Sequence, residues 1–156
     1  MSVEIEKIKF KIDLSGTYWG EKTPEYSISI DGNELARGFI TKPAGVRESI
    51  EFYADIEEGD RQLEIRFLNK DSSTDVVKDK DGNVAQDILL NIEGIEIDDI
   101  ELGHLRYTRS FYKLDKKQLY QGGIVSQLES CVNLGFNGTY TLKFQSPFYI
   151  WLLENL

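Results

Sequence analysis

The residues with the greatest capacity for chemistry lie between positions 69 and 87, in a stretch that reads NKDSSTDVVKDKDGNVAQD. Such a stretch can hold a hard cation, because Ca²⁺ takes roughly six to eight oxygen ligands at flexible geometry from carboxylates, amides and backbone carbonyls. The side chains that offer such oxygens are Asn69, Asp71, Asp75, Asp79, Asp81, Asn83 and Asp87. The composition of this loop therefore allows a metal site between two strand-like segments.

A second interpretation of the same loop needs no metal. The EF-hand pattern does not fit, because placing Asp79 and Asp81 at its third and fifth positions leaves Val77 at the first. Asp81-Gly82-Asn83 is a tight-turn signal, where Asp and Gly are expected for conformational reasons. The alternative is therefore a solvated surface loop.

Other reactive residue types are few. Asp98, Asp99 and Glu101 alternate with apolar residues; paired carboxylates can hydrolyse glycosides, but this pattern is more typical of the wet face or end of a strand. His104 and Cys131 are each the only residue of their type, and nothing near either indicates a nucleophile site. The phosphate-binding glycine patterns are absent from the sequence.

Aromatic residues could supply a binding surface. Tyr18 and Trp19 lie in a turn between Gly16 and Gly20, and exposed rings can stack on sugar faces or anchor an interface. We predict that Tyr18 and Trp19 contact a ligand. The alternative is that Trp19 and Trp151 close the ends of a hydrophobic core.

Composition limits the function classes. The chain has 156 residues, with 40% hydrophobic and 29% charged residues, which suits one globular domain spanning residues 1–156. A formal net charge of -9 argues against binding to nucleic acid or to an anionic membrane surface. No apolar run approaches the ~20 residues of a membrane span. The first residues lack the apolar region of a secretory signal, so we expect a soluble protein.

Apolar residues recur at every second position along most of the chain, which is the spacing of half-buried β-strands. Turn signals at Asp31-Gly32-Asn33 and Glu57-Glu58-Gly59-Asp60 predict two hairpins. The first joins residues 26–30 to 34–40, and the second joins 50–56 to 63–67. Further alternating runs lie at residues 8–14, 88–92 and 140–144.

The pattern also predicts irregularities. Val3 and Ile5 are out of phase with the first strand, which indicates a bulge or break near Glu6-Lys7. The phase changes again at Glu93-Gly94, which indicates a bulge there. Pro147 indicates that the last strand is split or lies at a sheet edge. Between these features the pattern weakens: residues 105–112 predict a strand, 113–123 a loop or short helix, and 125–134 a helical turn.

About eight to ten short strands, with turn signals about every 8–12 residues, are typical of a β-sandwich or jelly roll. Strands this numerous without helices between them argue against a parallel α/β sheet. The predicted fold is an all-β, antiparallel, jelly-roll-like sandwich with little helix.

The segment GDRQLEIRFLNKD, the Asp-bearing loop after it and QDILLNIEGIEIDD resemble a pattern in calcium-dependent xylan-binding modules. Those modules carry a strand ending in an Asn-Asp pair, a loop, an Asp-Arg-Asn-Leu element and a strand ending in an Asp-Gly turn. Their fold is a jelly-roll sandwich, and their loop Ca²⁺ contacts sugar hydroxyls. Asn69 and Asp87 match the pattern, and Asp75 is an extra ligand from the loop. If the loop holds Ca²⁺, we predict that Asp71, Asp75 and Asp87 are its ligands and that Asn69 assists.

This chain departs from that pattern at three places. Lys70 stands where the Asn-Asp pair has its Asp, Ile88 replaces the Arg, and Asp98-Asp99 replaces the Asp-Gly turn. The resemblance covers about a quarter of the chain.

A broader resemblance spans most of the length. TYWGEKTPEYSISIDG, the segment from FLNKDSSTD to DDIELG, and NGTYTLKFQSPFYIWLLENL are similar to uncharacterised proteins of large, T4-like tailed phages of marine bacteria. That resemblance implies a part of a virion or a binder of the host surface. The host cytoplasm and the virion are the locations that it suggests, and the compartment stays open.

The sequence therefore predicts a non-enzymatic binding module that contacts a polysaccharide through the 69–87 loop, with calcium as its one possible cofactor. The alternative is a virion structural, decoration or tail-associated protein that binds other virion proteins and no glycan. A third hypothesis is a glycan-processing enzyme that uses the carboxylates at 98–101. The oligomeric state and the host stay open.

Overall fold

The computed structural model describes residues 4–156, and β-strands dominate it. The strands are β1 (Ile5–Thr17), β2 (Glu25–Ile30), β3 (Asn33–Phe39), β4 (Glu48–Glu57), β5 (Gly59–Phe67), β6 (Val77–Lys78), β7 (Val84–Gln86), β8 (Leu89–Ile97), β9 (Ile100–Glu101), β10 (Ser110–Tyr120), β11 (Gly123–Glu129), β12 (Asn133–Leu134) and β13 (Gly138–Ser146). The described residues also form short helices: α1 (Ser72–Asp75) and α2 (Leu105–Thr108) lie between strands, and α3 (Phe148–Asn155) follows β13.

The strands form two antiparallel sheets that pack face to face. The first sheet has the order β12–β8–β1–β4, with β9 paired to β8, and the second has the order β11–β10–β13–β5–β2–β3. β6 and β7 form a separate two-stranded hairpin. The predicted all-β antiparallel sandwich with little helix is confirmed.

Alternating residues of the long strands fill the space between the sheets. Ile8, Phe10, Ile12 and Leu14 of β1 are fully buried, as their period-two spacing predicts. The ring of Phe10 meets the ring of Phe144 from the second sheet at a centroid distance of 6.0 Å. Each fully buried side chain of this size stabilises the fold by roughly 1.5–3 kcal/mol, so the core holds the two sheets together.

A bulge in β8 keeps both halves of this strand facing the core. Asp13 pairs with Gly94 and Leu14 pairs with Ile92, so Glu93 is an extra residue in the ladder with β1. The extra residue returns Ile95 to the same inner face as Ile92, and both are buried. The predicted bulge at Glu93-Gly94 is confirmed.

The bulge or break predicted near Glu6-Lys7 is wrong. The register between β1 and β4 runs without a shift from Ile5, opposite Glu57, to Ile8, opposite Ala54. Ile5 therefore points away from the core and is 60% exposed, which costs little at the end of a strand. Val3 lies outside the described residues.

The predicted hairpin between β4 and β5 is also wrong. β4 pairs with β1 in the first sheet, whereas β5 pairs with β13 and β2 in the second. The chain crosses from one sheet to the other around Glu58 and Gly59, where Gly59 has a φ of 116°. A turn signal between two alternating strands indicates a reversal of direction, and it does not say whether the two strands share a sheet.

Residues 105–134 differ most from expectation. Of the predicted strand at 105–112, residues 105–108 form α2, and strand β10 begins at Ser110. The predicted loop or short helix at 113–123 lies mostly in β10, and the predicted helical turn at 125–134 lies mostly in β11 and β12. β10 and β11 are joined at Gln121-Gly122. Many side chains of this hairpin are exposed, including Leu119 at 70% and Ile124 at 68%. Because most side chains in the outer part of the hairpin are exposed on both faces, that part lacks the alternation that predicts a strand.

The expectation that the last strand is split or lies at an edge is wrong as well. β13 is continuous and lies between β10 and β5 in the middle of the second sheet. Pro147 follows the strand and precedes α3. Trp151 of α3 is 5% exposed and packs on Phe144 and Phe148, so this tryptophan closes one part of the core, as one of the two interpretations predicts.

Within residues 4–156, the helices are all too short or too polar to serve as a membrane span.

The close approach of β10 and β13 yields a test of the packing. A Cβ atom at Gly138 would lie 2.5 Å from the backbone oxygen of Lys113 and 2.8 Å from Tyr112 Cε2, whereas one at Gly123 meets no atom within 4 Å. We expect Gly138→Ala to lower the free energy of unfolding by about 1–3 kcal/mol, because the backbones must separate. The control Gly123→Ala should change it by less than about 0.5 kcal/mol. Urea denaturation of both variants measures this; equal effects would contradict the packing.

Candidate functional site

The 69–87 segment lies at the end of the sandwich where β5 and β1 finish and where β8 and β13 begin. It meets the turn that follows β1, since the Trp19 indole Nε1 donates a hydrogen bond to the Asp75 carbonyl oxygen at 2.9 Å. It also meets the residue that precedes β13, since Asn137 Nδ2 donates to the Lys70 carbonyl oxygen at 2.9 Å. We call this surface, formed by residues 18–24, 68–88 and 135–137, the loop rim.

Two asparagine side chains fix the start of the loop between its neighbouring strands. Asn69 accepts a hydrogen bond from the Glu25 backbone N–H at 2.8 Å and donates one to the Thr23 carbonyl at 3.0 Å. Asn137 accepts from the Lys70 backbone N–H at 2.7 Å on the opposite side. These amides satisfy backbone groups that the sheet ladder no longer reaches, so Asn69 is engaged in holding the loop.

Asp75 is the most buried carboxylate of the loop, with 3% of the residue exposed. One of its oxygens, Oδ2, accepts hydrogen bonds from Lys22 Nζ and from the Asp71 backbone N–H, both at 2.8 Å. A buried carboxylate is stable only where its charge is balanced and its oxygens are bonded. Lys22 supplies that balance from the turn after β1.

Asp87 has a second lysine partner. Its Oδ1 accepts hydrogen bonds from Lys70 Nζ and from the Ile88 backbone N–H. The Lys70 side chain is 2% exposed, and its ammonium also donates to the Ile88 carbonyl at 2.7 Å. The inward-turned carboxylates of the loop, Asp75 and Asp87, are therefore each paired with a lysine.

The remaining loop carboxylates shape local backbone. Asp71 caps α1 by accepting from the backbone N–H and the hydroxyl of Ser73, and these bonds lower the pKa of Asp71. Asp79 accepts from the backbone N–H groups of Asp81 and Asn83 at the tip of the β6–β7 hairpin. These contacts are the turn chemistry that Asp provides in loops.

The donor set does not form a ready calcium site in this arrangement. Among residues 4–156, no three His, Cys, Asp or Glu side chains converge closely enough to hold a metal ion. Asn69 is bonded to backbone on both sides of its amide, and Asp75 and Asp87 accept hydrogen bonds from ammonium groups. Calcium on Asn69, Asp71, Asp75 and Asp87 stays a prediction.

Tyr18 and Trp19 lie at the loop rim, half-buried against the hydrophobic core. The Tyr18 hydroxyl donates to the Lys42 carbonyl at 2.8 Å, just as the Trp19 indole donates to Asp75. With their polar atoms held by backbone, both rings have fixed orientations. The structure thus brings both predicted aromatic residues to the same end of the molecule as the acidic loop.

The other carboxylate group lies at the opposite end of β8. Asp98 and Asp99 form the turn between β8 and β9, with φ of 49° and 65°. Asp98 accepts from the Lys9 backbone N–H, Asp99 pairs with the Lys9 ammonium, and Glu101 pairs with Arg106. These carboxylates have turn-forming and charge-pairing roles at a hairpin tip.

Among the described residues, no hydrogen bond joins His104 to Cys131. His104 is exposed at the start of α2, and the Cys131 thiol donates to the Asn133 carbonyl at 3.3 Å. Burial raises the pKa of the Cys131 thiol, which disfavours the nucleophilic thiolate.

A cleft lies away from the loop rim, and the sequence pattern did not predict it. It has a volume of about 770 Å³ and lies where β5 and β10 begin, near the end of β13 and beside α3. Arg61, Arg109 and Lys143 line it, with the Phe111 ring under the Lys143 ammonium at 5.5 Å. These residues lie far apart in the sequence, and only the strand order of the second sheet brings them together.

Comparisons with solved structures show the fold. A structure of vCBM60 in complex with galactobiose is 10% identical to this chain, covers 86% of it and 96% of its own length, and superposes with a TM-score of 0.52. A selenomethionine form of vCBM60, described with two families of calcium-dependent carbohydrate-binding modules linked by circular permutation, is 8% identical. It covers 86% of this chain and 89% of its own, with a TM-score of 0.56. No family model and no curated protein matches the sequence.

The buried contacts of Asp75 yield a prediction about the loop rim. Asp75→Ala removes the acceptor for Lys22 and for the Asp71 N–H, so we expect it to lower the free energy of unfolding by about 1–3 kcal/mol. The matched control is Asp81→Ala, because Asp81 is exposed at the tip of the β6–β7 hairpin. Chemical denaturation of both variants tests the difference. A loss for Asp75→Ala no larger than for Asp81→Ala would show that the inward carboxylate does not organise the loop.

Proposed function

We propose that this chain is a non-catalytic carbohydrate-binding module. The observation that carries the proposal is the match of its two sheets to vCBM60, a module solved with galactobiose, over 86% of this chain and 96% of that one. A match over nearly the whole of a small module indicates a similar framework without large added elements. The proposed ligand is therefore an oligosaccharide or polysaccharide.

We place the sugar contact at the loop rim. Loops at the end of a rigid sandwich are where such scaffolds present variable binding groups. Here the rim combines two oriented aromatic rings, Tyr18 and Trp19, with the polar atoms of the 69–87 loop. An aromatic face supports a sugar ring, while amides and carboxylates bond its hydroxyls.

Calcium is not required by this proposal. The neighbouring module is described among calcium-dependent ones, and the sequence predicts a calcium ion in the loop. The sugar contact proposed here uses rings and side chains that the fold itself holds in place.

The proposal predicts binding that depends on the rim aromatics. Titration calorimetry with galactobiose and with xylo-oligosaccharides should give heat for the native chain. Tyr18→Ala and Trp19→Ala should each weaken binding by roughly tenfold or more, which is about 1.4 kcal/mol, because an oriented ring is lost.

Two controls separate binding from folding. Tyr53→Ala removes a tyrosine that is 60% exposed on β4, and it should leave affinity unchanged. Trp19→Phe keeps a ring but removes the hydrogen bond to Asp75, so it should retain part of the binding. Absence of heat with every glycan, or equal loss from Tyr53→Ala, would contradict the proposal.

A second candidate function is assembly with other proteins, as in a virion structural, decoration or tail-associated part. The observation that favours it is the outer face of α3 together with Leu156, the residue that follows the helix. Apolar side chains there are exposed by 53% for Tyr149, 55% for Ile150, 74% for Leu153 and 79% for Leu156. Apolar surface of this kind in one place is typical of a protein–protein contact.

This candidate predicts association through α3. Light scattering after size exclusion should show an assembly larger than one chain. The double variant Ile150→Lys/Leu153→Lys should be a monomer. Val84→Lys, at a site 56% exposed in β7, is the matched control and should not. Mass spectrometry of purified phage virions should also detect the protein. A strict monomer that is missing from particles would exclude this function.

A further inference from the structure

The environment of the Lys70 ammonium resembles a cation site more than an ordinary surface ion pair. Its side chain is 2% exposed, and its Nζ contacts the Asp87 carboxylate and the Ile88 backbone carbonyl. A carboxylate oxygen and a backbone carbonyl oxygen are two of the ligand types that calcium takes. A covalently attached cation therefore occupies an oxygen-lined position in the loop rim.

The backbone around Lys70 fixes this arrangement. Asn137 binds both the N–H and the carbonyl of Lys70, at 2.7 and 2.9 Å. The preceding residue, Asn69, is bonded to the start of β2. The side chain of Lys70 thus leaves a backbone that is held on both sides, and its ammonium reaches Asp87 with little freedom to leave.

A second ammonium balances the other inward carboxylate. Lys22 Nζ lies 2.8 Å from Asp75 Oδ2, and the Asp75 side chain is 5% exposed. Burial of a carboxylate without a counter-charge is strongly unfavourable. Lysines from two different segments therefore neutralise the two loop carboxylates that turn inward.

We infer that Lys70, assisted by Lys22, supplies from within the chain the positive charge that a calcium ion would supply at the loop rim. The rim is therefore ordered without calcium, and sugar binding there is calcium-independent. The second statement rests on the proposed function. It fits the sequence, because Lys70 stands where the xylan-binding pattern has an Asp, and it distinguishes this chain from modules described as calcium-dependent.

Thermal unfolding of the native chain tests the inference without any variant. We expect the same midpoint, within about 1 °C, in about 1 mM calcium and in excess EDTA. Calcium can shift the unfolding midpoint only if it binds to the folded chain. If calcium bound with a Kd about a thousandfold below its concentration, the midpoint would rise by roughly 8–16 °C for a chain of this size. A rise of that order would overturn the inference.

Substitution tests the role of the ammonium. Lys70→Met keeps the length of the side chain and should lower the midpoint by roughly 6–15 °C, because Asp87 loses its counter-charge. Lys80→Met, at an exposed lysine between β6 and β7, is the matched control and should change it by less than about 2 °C. The double variant Lys70→Met/Asp87→Leu removes both charges and should recover at least half of the loss. Equal midpoints for Lys70→Met and Lys80→Met would overturn the inference.

Glycan titration in EDTA separates this inference from the proposed function. Binding in EDTA that equals binding in calcium supports both. Binding that requires calcium would overturn the inference and keep the carbohydrate function. If no glycan binds under either condition, the carbohydrate function fails, and the melting experiments still decide the role of Lys70.

Discussion

The two sheets stack because alternate side chains along each long strand point into one shared interior. This constraint explains why β8 contains a bulge: an apolar run that changes phase can stay in the core only if one residue is left out of the ladder. The same interior receives side chains from β4 in the first sheet and from β5 in the second, because the chain crosses between the sheets after β4. The positions of the loops at the two ends follow from these strand endings.

The loop rim shows how a carboxylate-rich segment becomes ordered on such a scaffold. Carboxylates that face solvent act as local turn and cap residues, as Asp71 and Asp79 do. Carboxylates that turn inward require a counter-charge, and in this chain lysines supply it. The same residue type thus has two roles, and its exposure decides which role it takes.

The fold class could be predicted from the sequence because period-two alternation is a direct consequence of a strand that is buried on one face. The partner of each strand could not, because β4 and β5 carry the same alternation whether or not they pair. The β10–β11 hairpin was missed for a related reason. With Leu119 and Ile124 exposed, its sequence lacks the contrast between faces from which strands are predicted.

The candidate site also has a part that the sequence predicts and a part that only the structure shows. The sequence identified the oxygen-bearing residues of the loop, and the structure brings Asp75 and Asp87 to the end of the sandwich where Trp19 lies. Lys22 and Lys70 could not be assigned as their partners from the sequence. The Lys22–Asp75 pair, for example, spans 53 residues and depends on where the turn after β1 folds. The cleft at Arg61, Arg109 and Lys143 needed the full strand order.

The β10–β11 hairpin extends past the last pair that β10 makes with β13, Leu114 with Gly138, toward the same end of the molecule as the loop rim. Beyond that pair, β10 is held by β11 alone among the strands that the structure describes. In this projecting part Val125 packs partly against the core, whereas Leu119 and Ile124 are exposed. A two-stranded ribbon with so few packed side chains is only marginally stable in water, so its outer end can fray and re-form while the sandwich stays intact. Any molecule that binds this end of the hairpin must therefore also supply the free energy that orders it.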